Sequence, residues 1–392
     1  RNISKDWLFS LDGGAQQRVD LPHDYAVSLP RTPDAVGGAR VGYFADGFAT
    51  YTKLFPMPAA WQGKALLLEI DGAYMNAQVS CNENNLAKHP YGYSPFVVDL
   101  TGKLRADMDN KLAISCYGSQ PSSRWYSGAG LYRNVTMLVG EPCYLDPRDL
   151  AVTTPEVSAA HALVRLALTP RTLYATPVQA TIRAELRFHG EAVARVEQTV
   201  TLDPAAPAAL TLELPVTTPA LWDDVTPNLY DLTVAVGAEG QEEDLTELKV
   251  GIRRIEINAR DGLLLNGRKV TLHGGCIHHD HSMIGARAMP RAEERKLEKL
   301  KAAGFNAIRT AHNPPSAALL DACDRLGILV IDEFFDCWRT GKNRNDYNLY
   351  FEDWWQRDIE AIVRRDRNHA CVYCWSFGNE ITESDGRSDG VY

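Results

Sequence analysis

Short hydrophobic runs mark the first part of the chain at intervals of about ten residues, a spacing typical of strands in an all-β domain. Turn-forming pairs such as Asp71-Gly72 and Thr101-Gly102 separate them. Strands of this kind pack as two layers in sandwiches and jelly rolls. The pattern therefore predicts an N-terminal β jelly roll over residues 1–141. The runs that carry it are ALLLEI (65–70), AQVSCN (77–82), FVVDL (96–100) and KLAISCY (111–117).

Between residues 142 and 250, apolar and polar residues alternate over longer stretches. Alternation with a period of two places the apolar side chains on one face of a strand. The pattern predicts an immunoglobulin-like β-sandwich. Because the segment contains no cluster of catalytic residue types, we interpret it as a spacer. The alternating stretches are ALVRLALT (162–169), VQATIRAELRF (178–188) and YDLTVAV (230–236), and the proline-rich break DPAAPAA (203–209) divides them.

From Gly251 onward, strand-like runs alternate with helix-like segments. This alternation implies a parallel sheet with right-handed crossovers. Four such units make the first half of a (β/α)₈ TIM barrel over residues 251–392. The chain reaches Tyr392 just after the fourth strand, so we expect a barrel truncated at that point. The predicted strands are 270–280, 306–312, 328–335 and 371–380, and the predicted helices are 291–304, 315–327 and 351–367.

Composition and net charge argue against two classes of partner, membranes and nucleic acids, and leave the predicted architecture unchanged. Hydrophobic residues make up 45% and charged residues 23% of the 392 residues, as in ordinary globular proteins. No apolar run approaches the roughly 18 residues of a membrane-spanning helix, so we expect no membrane partner. The formal net charge of −9 argues against a nucleic-acid partner, because phosphate binding needs clustered Lys and Arg.

The eight cysteines do not form the dense pattern of a disulfide framework in a chain of this length. Cys81, Cys116, Cys276 and Cys323 lie in apolar runs and are predicted to be small buried hydrophobes. Free thiols favour a reducing compartment. The predicted location is therefore cytoplasmic.

All four predicted barrel strands end in polar or titratable residues. In a (β/α)₈ barrel the active site lies at the carboxyl ends of the strands, so these residues are expected to converge. A purely structural barrel needs no such groups there. The strand ends carry His278, His279, Asp280 and His281, then His312 and Asn313, then Asp332, Glu333 and Asp336 with Trp338 just beyond, and finally Asn379 and Glu380.

Two chemical classes fit these residues. A metal hydrolase would use the histidines as ligands, but neighbouring strand residues alternate in direction, so His278, His279 and His281 cannot all face one ion. A glycosidase would use Glu380 as a carboxyl acid and the other side chains to hold sugar hydroxyls. Two plainer interpretations stay open from the residues alone. The histidines would be hydrogen-bonded structural residues, and Glu380 would be one half of an ion pair.

Six stretches, taken in order, resemble glycoside hydrolase family 2, the family of β-galactosidases, β-glucuronidases and β-mannosidases. The resemblance covers nearly the whole chain. Two N-terminal stretches are similar to the family's jelly-roll signatures, and four are similar to its first four barrel strands. They are LPHDYAV (21–27), RWYSGAGLYRNV (124–135), LNGRKVTLHGGCIHHD (265–280), KAAGFNAIRTAHNPPS (301–316), LDACDRLGILVIDEFFDCW (320–338) and RRDRNHACVYCWSFGNE (364–380).

The resemblance implies a retaining mechanism that uses two glutamates. Glu380 follows Asn379 at the end of the fourth strand and matches the family's acid/base. The nucleophile belongs to a seventh strand that lies outside this sequence. The resemblance further implies that Asn379 binds the sugar 2-hydroxyl. Asp280, His278 and His312 are the expected clamps on other ring hydroxyls, since charge-assisted hydrogen bonds suit a polyol.

Other residues are expected to support the site. Trp338 and Trp375 could provide an apolar floor under a sugar face, although plain barrel packing fits Trp375 equally well. Arg309 and Glu333 could form a buried support pair beneath the site.

The resemblance implies no cofactor. Large β-galactosidases of the family bind magnesium through an acidic residue and a histidine shortly after the third strand. This chain has Cys337 and Arg339 in that region. We therefore expect no metal site.

The strand-end patterns HHD (278–280), HNPPS (312–316) and FDCW (335–338) are most similar to bacterial β-galactosidases of the family. The expected function is thus a retaining exo-β-galactosidase with a carbohydrate as its partner, in a homo-oligomer. A β-glucuronidase or galacturonidase is the alternative, because the family's Asn-x-Lys element for a uronate carboxylate follows the fourth strand and lies outside this chain. A third possibility, from another class, is a non-catalytic carbohydrate-binding fragment that lacks the nucleophile.

Overall fold

The computed structural model describes residues 2–123 and 125–385, with side chains described as far as Glu383. Its first nine strands are β1 (Trp7–Leu11), β2 (Gln17–Val19), β3 (Phe48–Pro56), β4 (Ala65–Ile70), β5 (Ala77–Cys81), β6 (Asn84–His89), β7 (Phe96–Asp99), β8 (Asp109–Tyr117) and β9 (Val135–Gly140). They form a six-stranded sheet in the order β2-β1-β3-β8-β5-β6 and a three-stranded sheet in the order β7-β4-β9. A β-sandwich thus occupies the region for which a jelly roll is predicted, and the jelly-roll connectivity itself stays a prediction.

Apolar side chains from both sheets hold this first sandwich together. Trp7, Tyr51 and Ile114 come from the larger sheet, Leu68 and Met137 come from the smaller one, and all five are fully buried. Burying one large apolar side chain contributes about 1.5–3 kcal/mol relative to leaving it exposed. The two sheets are therefore fixed face to face by this shared core.

A second sandwich follows. Its strands are β10 (Cys143–Tyr144), β11 (Leu150–Val157), β12 (His161–Leu168), β13 (Arg171–Thr172), β14 (Val178–Phe188), β15 (Glu191–Leu202), β16 (Leu210–Thr217), β17 (Tyr230–Ala238) and β18 (Asp244–Val250). The main sheets have the orders β11-β12-β16 and β15-β14-β17-β18, and β10 pairs with β13. The alternation that predicts this sandwich is visible in β12, where Ala162, Val164, Leu166 and Leu168 are buried between less buried neighbours. The predicted boundaries at 141/142 and 250/251 stay predictions.

The remaining residues begin with a small antiparallel sheet and continue as alternating strands and helices. The small sheet consists of β19 (Ile255–Asn258), β20 (Gly262–Leu265) and β21 (Arg268–Lys269). The alternating part consists of β22 (Gly274–Ile277), α1 (Pro290–Ala302), β23 (Ala307–Thr310), α2 (Ala317–Leu326), β24 (Leu329–Glu333), α3 (Phe351–Asp366) and β25 (Val372–Ser376). The strands β22 to β25 form one parallel sheet in chain order. Sequential parallel order with intervening helices is the arrangement of a partial TIM barrel, and the closed eight-stranded barrel stays a prediction.

Local sequence signals explain where the second helix begins and ends. The Ser316 hydroxyl accepts a hydrogen bond from the backbone N–H of Leu319 and so caps the N-terminus of α2. Gly327 ends the helix in the left-handed conformation, with φ of +67°. An added Cβ at Gly327 would come within 2.9 Å of the Asp223 carbonyl oxygen, so this position has neither the backbone freedom nor the room for a side chain. The chain consequently turns at once into β24.

One apolar core joins the parallel sheet to its first two helices. Leu297 of α1 and Leu320 of α2 are fully buried against Ile308 of β23 and Val330 of β24. Because alternate strand residues face opposite sides of a sheet, the residues between these apolar positions face away from the helices. Arg309 is one of these residues, and it faces the concave side of the sheet.

A second apolar core joins the parallel sheet to the first sandwich. Tyr91 and Tyr93 of the sandwich pack with Phe334, Phe335 and Tyr347, which follow β24. The rings of Tyr91 and Tyr347 lie 4.2 Å apart, and the Tyr91 hydroxyl donates to the Phe334 carbonyl oxygen over 2.6 Å. Such aromatic contacts add to the free energy of burying the rings, so the sandwich docks firmly at the carboxyl ends of the strands.

Buried polar side chains fix the same junction. Arg133 of the first sandwich is 1% exposed. Its guanidinium donates to the Tyr93 carbonyl oxygen over 2.9 Å and to the Pro314 carbonyl oxygen, after β23, over 2.7 Å. Asp358 of α3 is fully buried and accepts a 2.5 Å hydrogen bond from the Ser94 hydroxyl. These contacts fix the position of one domain against the other, because a shift would leave buried polar groups without hydrogen-bond partners.

The structure differs from the sequence expectations in two respects. The observed strands β22 to β25 are shorter than predicted, because the polar residues at their ends lie in loops. Cys276 is exposed rather than buried, and it lies on the same side of the sheet as Arg309, which it contacts. Cys81, Cys116 and Cys323 are buried as predicted.

No helix in the described part of the chain combines the length and the apolar character needed to cross a membrane.

An ion pair lies at the amino end of β25. The His369 ring nitrogen Nδ1 lies 2.7 Å from Asp324 Oδ2, and the Cys371 backbone N–H donates to Asp324 Oδ1 over 2.8 Å. Burial lowers the pKa of His369, but the charge and the hydrogen bond of Asp324 outweigh burial and raise it to about 9. Asp324 therefore joins α2 to β25 through a charged histidine.

This pair predicts a pH dependence of stability. The folded-state pKa of His369 lies above the unfolded value of about 6.5, so its contribution is complete below about pH 6.5 and is lost as pH rises through about 9. The free energy of unfolding of His369→Gln should lie about 3 kcal/mol below wild type at pH 6, and the gap should close towards pH 9.5. Urea titrations across this range measure it. His161→Gln, at an exposed position, is the control and should show little change. A difference in the free energy of unfolding that is constant with pH would contradict the raised pKa of His369.

Candidate active site

A cavity of about 270 Å³ lies where the carboxyl ends of the parallel strands meet the first sandwich. The strand ends contribute His278, His312, Asn313, Asp336 and Glu380. The first sandwich contributes the opposite wall, which is rich in aromatic rings. Its lining residues are Tyr74, Met75, Tyr91, Gly92, Tyr93, Ser122, Ser123 and Trp125. The site is thus shared between two domains.

Glu333 is the central buried group beneath this cavity. It ends β24, and its side chain is fully buried. One carboxylate oxygen accepts from Arg309 Nε over 2.8 Å and from the Ser376 hydroxyl over 2.7 Å. The other lies 3.0 Å from His312 Nδ1. A fully buried charge needs this many donors, so Glu333 links the ends of β23, β24 and β25.

The contact with Glu333 also orients the His312 ring. Since a carboxylate can only accept, Nδ1 carries the proton in this hydrogen bond. A neutral His312 therefore has Nε2 as an acceptor at the cavity wall. The His278 ring lies next to it, with the two centroids 5.4 Å apart and the planes nearly perpendicular. Burial, and then the neighbouring His312, lowers the pKa of His278 to about 4, so His278 is uncharged at neutral pH.

Trp125 connects the first sandwich to the end of β22. Its ring stacks on the His278 ring at a centroid distance of 4.0 Å. Its indole N–H donates to Asp280 Oδ1 over 2.8 Å. Burial acts to raise the pKa of Asp280, but the hydrogen bond from Trp125 and the neighbouring His279 outweigh it, so the pKa lies below its usual value. Asp280 is therefore an ionised carboxylate that already accepts a hydrogen bond on each oxygen, the second from the Ser282 backbone N–H over 3.4 Å.

Asn379 is held from both sides. Its side-chain carbonyl oxygen accepts from Arg309 over 3.0 Å, and its amide nitrogen donates to Asp336 Oδ1 over 2.8 Å. Its backbone N–H donates to the Phe335 carbonyl oxygen over 2.9 Å. Asn379 is 5% exposed, and these contacts fix its amide orientation. The second hydrogen on the amide nitrogen remains for another acceptor.

Glu380 is the carboxylate that reaches the cavity from β25. Its side chain is 66% exposed, and Oε2 lies 3.8 Å from the ammonium of Lys342. Its backbone is left-handed, with φ of +48°, which is uncommon outside glycine and is strained. The neighbouring Lys342 donates to the Asn379 carbonyl oxygen over 2.6 Å. The strand therefore ends in a tight turn that delivers Glu380 into the cavity.

The structure places the other predicted residues less directly. Asp280, Asn379 and Trp338 are not among the described residues that line the cavity, although Asp280 and Asn379 contact residues that do. Trp338 has other contacts. Its indole N–H donates to the Phe377 carbonyl oxygen over 3.0 Å, and its ring packs on Phe351. Asp332 faces the opposite side of the sheet from Glu333 and is fully buried. Burial, and then the charge of Asp366, raises the pKa of Asp332 well above its usual range. Of the predicted support residues, Arg309 and Glu333 are in direct contact.

The other two histidines after β22 have structural partners. His279 Nε2 lies 2.9 Å from the Ser127 carbonyl oxygen of the first sandwich. His281 Nε2 lies 3.1 Å from Glu293 Oε2 of α1. Neither is among the described lining residues of the cavity, so the three nearby histidines do not form one ligand set.

One group of side chains in the described part of the chain has ligand atoms close enough for a metal ion. Its members are Asp324, His369 and Cys371, with ligand atoms within 4.8 Å of one another. They lie at the amino end of β25, whereas the cavity lies at the carboxyl end. Both Asp324 oxygens already accept hydrogen bonds within the group. The contacts therefore fit an ion pair between α2 and β25.

The wall from the first sandwich was not predicted as part of the site. Aromatic residues crowd RWYSGAGLYR (124–133), but a residue pattern does not show that this loop reaches a barrel 150 residues further along the chain. Lys342 was also missed, because a lysine in a loop resembles any solvated charge. The observed contact of Trp125 with Asp280 identifies the loop as part of the site.

Comparison with known proteins identifies the family. The family model "Glycosyl hydrolases family 2" matches residues 144–253, and "Glycosyl hydrolases family 2, TIM barrel domain" matches residues 255–388. Together they cover more than half of the chain. The chain belongs to glycoside hydrolase family 2.

Individual relatives of this family 2 chain are consistent with the family assignment. A β-galactosidase of Bacteroides ovatus is 38% identical over 99% of this chain and 47% of its own length. A putative β-glucuronidase of Formosa agariphila is 30% identical over 98% of this chain and 37% of its own length. A crystal structure of a family 2 member from Bacteroides cellulosilyticus superposes with a TM-score of 0.94 at 38% identity, covering 98% of this chain and 52% of that one. The chain spans less than half the length of these two curated relatives.

The hydrogen-bonding role of Glu333 in this family 2 chain predicts a cost for removing its charge. Glu333→Gln keeps the shape of the side chain but leaves the Arg309 guanidinium without a carboxylate. The free energy of unfolding should fall by about 3 kcal/mol, the scale for breaking a buried ion pair, as measured by urea titration. Glu352→Gln is the control, because Glu352 pairs with Arg339 at the surface and should cost less than about 1 kcal/mol. Equal effects of the two changes would contradict the central position of Glu333.

Proposed function

We propose that this chain supplies the acid/base side of the active site of a retaining exo-β-glycosidase, with Glu380 as the acid/base. One observation carries the proposal. In a family 2 chain, Glu380 lines a cavity at the carboxyl end of β25, directly after an Asn379 that is fixed by Arg309 and Asp336. This is where the family resemblance expects the acid/base.

The proposed reaction has two steps. First, Glu380 donates its proton to the glycosidic oxygen while a carboxylate outside this chain attacks the anomeric carbon, so the C–O bond to the leaving group breaks as an ester to the enzyme forms. Then Glu380 takes a proton from water, which attacks the anomeric carbon and releases the sugar. The sugar leaves with its original anomeric configuration, and Glu380 regains its proton.

The neighbouring side chains suit the binding of a polyol. The remaining hydrogen of the Asn379 amide can bond the 2-hydroxyl, a contact that strengthens as positive charge develops at the anomeric centre. His312 has Nε2 for a hydrogen bond to a hydroxyl, since Glu333 fixes its other nitrogen. Asp280 offers a carboxylate, which makes charge-assisted hydrogen bonds to hydroxyls. Arg309 and Glu333 act by holding Asn379 and His312 in place, and Trp338 would support Phe377 rather than contact the sugar.

Among sugars, we favour a neutral β-galactoside. The described lining of the cavity contains the carboxyl groups of Asp336, Asp346 and Glu380, and neither lysine nor arginine is among the described lining residues. A uronate carboxylate would meet mainly acidic groups on this side of the site. The relative of 38% identity is a β-galactosidase, which favours the same choice.

A β-glucuronidase or galacturonidase remains the second candidate, because the Formosa agariphila relative carries the name β-glucuronidase and a uronate-binding element would lie beyond Glu380. A non-catalytic carbohydrate-binding role is the third. The cytoplasmic location and the homo-oligomer stay predictions.

Replacing the acid/base should act selectively on substrates with poor leaving groups. In the full-length protein, Glu380→Gln should lower kcat/KM for methyl β-galactoside by about 10³-fold, the scale of general acid catalysis. The loss should be far smaller for 2,4-dinitrophenyl β-galactoside, whose leaving group needs no proton, and azide should restore turnover by taking the place of the activated water. Glu360→Gln, an exposed residue of α3, is the control. Normal hydrolysis of methyl β-galactoside by Glu380→Gln would refute the assignment.

A panel of 4-nitrophenyl β-glycosides separates the three candidates. We expect the full-length protein to hydrolyse the β-galactoside with kcat/KM at least tenfold above the β-glucuronide and β-galacturonide. A preference for a uronide would support the second candidate and overturn the choice of sugar. Absence of turnover with every member of the panel would favour the carbohydrate-binding role.

A further inference from the structure

Lys342 reaches across from the loop after β24 to the end of β25. Its ammonium donates to Asp336 Oδ1 over 2.8 Å and to the Asn379 carbonyl oxygen over 2.6 Å. The same nitrogen lies 3.8 Å from Glu380 Oε2. One cation thus contacts the peptide that joins Asn379 to Glu380 as well as the carboxylate of Glu380.

The surrounding loop holds this lysine in place. The Lys342 backbone N–H donates to Asp346 Oδ2 over 3.1 Å, and the buried Asp346 also accepts from the Tyr347 backbone N–H. Gly341 leaves no room for a side chain, since an added Cβ would lie 2.3 Å from Asn348 Oδ1. The Lys342 side chain is only 16% exposed. Its ammonium is therefore a fixed charge, unlike that of a mobile surface lysine.

The backbone at Glu380 needs such support. A left-handed φ of +48° at a residue with a side chain is disfavoured and persists where neighbouring contacts hold it. The Asn379 carbonyl oxygen belongs to the peptide immediately before this residue, so the bond from Lys342 restrains the turn directly. The Asn379 backbone N–H donates to the Phe335 carbonyl oxygen, so the peptide before Asn379 is restrained as well.

The contacts also show what Lys342 does not do. An ammonium has three hydrogens. Two form hydrogen bonds to Asp336 and to the Asn379 carbonyl oxygen, and the Glu380 carboxylate lies 3.8 Å from the same nitrogen. Two carboxylates already compensate its charge, so Lys342 is not available to bind an anionic substituent of a substrate.

We propose that Lys342 is a positioning residue for the acid/base. It holds the Asn379–Glu380 peptide in the turn that delivers Glu380 to the cavity, and it places one positive charge beside the Glu380 carboxylate. This inference rests on the proposed function, because it assigns Lys342 a role through Glu380.

A charge beside the acid/base predicts a specific effect on the pH profile. The ammonium stabilises the ionised form of Glu380, so its removal should let Glu380 keep its proton to higher pH. The alkaline limb of the pH profile of kcat/KM should then move to higher pH. Asp336 loses the same ammonium, and its uncompensated carboxylate acts on Glu380 in the same direction. The substitution leaves the other titratable lining groups in place, among them His278, His312 and Asp346 in the described part of the chain.

The test compares three variants of the full-length protein on methyl β-galactoside, whose poor leaving group needs the proton of Glu380. Lys342→Met should raise the midpoint of the alkaline limb by about 0.5–1 pH unit, the scale for one partly screened charge at about 4 Å. It should also lower kcat at the optimum about tenfold, because the turn loses its restraint. Lys342→Arg keeps the charge, so the midpoint should stay in place whatever happens to kcat. Arg344→Met removes an exposed charge from the same loop and should change neither quantity.

The outcomes separate this inference from the proposed function. An unchanged midpoint in Lys342→Met, with Glu380→Gln still selective for poor leaving groups, would overturn the role of Lys342 alone. Normal hydrolysis of methyl β-galactoside by Glu380→Gln would overturn the acid/base assignment itself. If Lys342→Met does not fold, as judged by circular dichroism, Lys342→Gln replaces it. Glutamine can still donate to the Asn379 carbonyl oxygen but carries no charge, so the same upward shift is expected.

Discussion

The buried carboxylate of Glu333 constrains the arrangement of the whole site. A charge without solvent contact is stable only when donors surround it, and Arg309, His312 and Ser376 supply those donors from two neighbouring strands. Each of these partners is then oriented by the same bond. Arg309 also donates to the Asn379 side-chain oxygen. The hydrogen bonds of the Glu333 carboxylate at the end of β24 therefore also fix the position of Asn379 after β25.

A second constraint comes from the first sandwich. Its aromatic residues form one apolar core with Phe334 and Phe335, and the buried Arg133 bonds to the loop after β23. The strand ends are therefore covered on one side by a separate domain. Trp125 then reaches His278 and Asp280 from that domain. The sandwich thus forms one wall of the cavity and holds the Asp280 carboxylate in place.

The local patterns of the sequence were sufficient for most of the architecture. Period-two alternation identified the second sandwich, and Ser316 and Gly327 at the two ends of α2 are local signals with local causes. The convergence of His278, His312 and Glu380 followed from the general rule for strand ends in barrels, and these three residues do line one cavity. The contact between Arg309 and Glu333 followed from their places on adjacent strands.

Other features depended on contacts between distant parts of the chain. Trp338 was expected beneath a sugar, and that role stays a prediction. Its described contacts are with the Phe351 ring and the Phe377 carbonyl oxygen. Cys276 was expected to be buried from its apolar neighbours, yet its strand presents it on the open side of the sheet. The contacts of Trp125 and Lys342 depend on how the first sandwich and the loop after β24 fold back over the strand ends. Nothing in the local sequence around either residue carries that information.

The distance between two carboxyl groups tests the central assignment most directly. A crystal structure of the full-length protein would show where the second carboxyl group lies relative to Glu380. A retaining glycosidase with Glu380 as acid/base requires the two carboxyl groups to be about 5–5.5 Å apart across the cavity. A separation of about 6.5–9.5 Å would indicate an inverting enzyme, and no facing carboxyl group at all would remove Glu380 from catalysis.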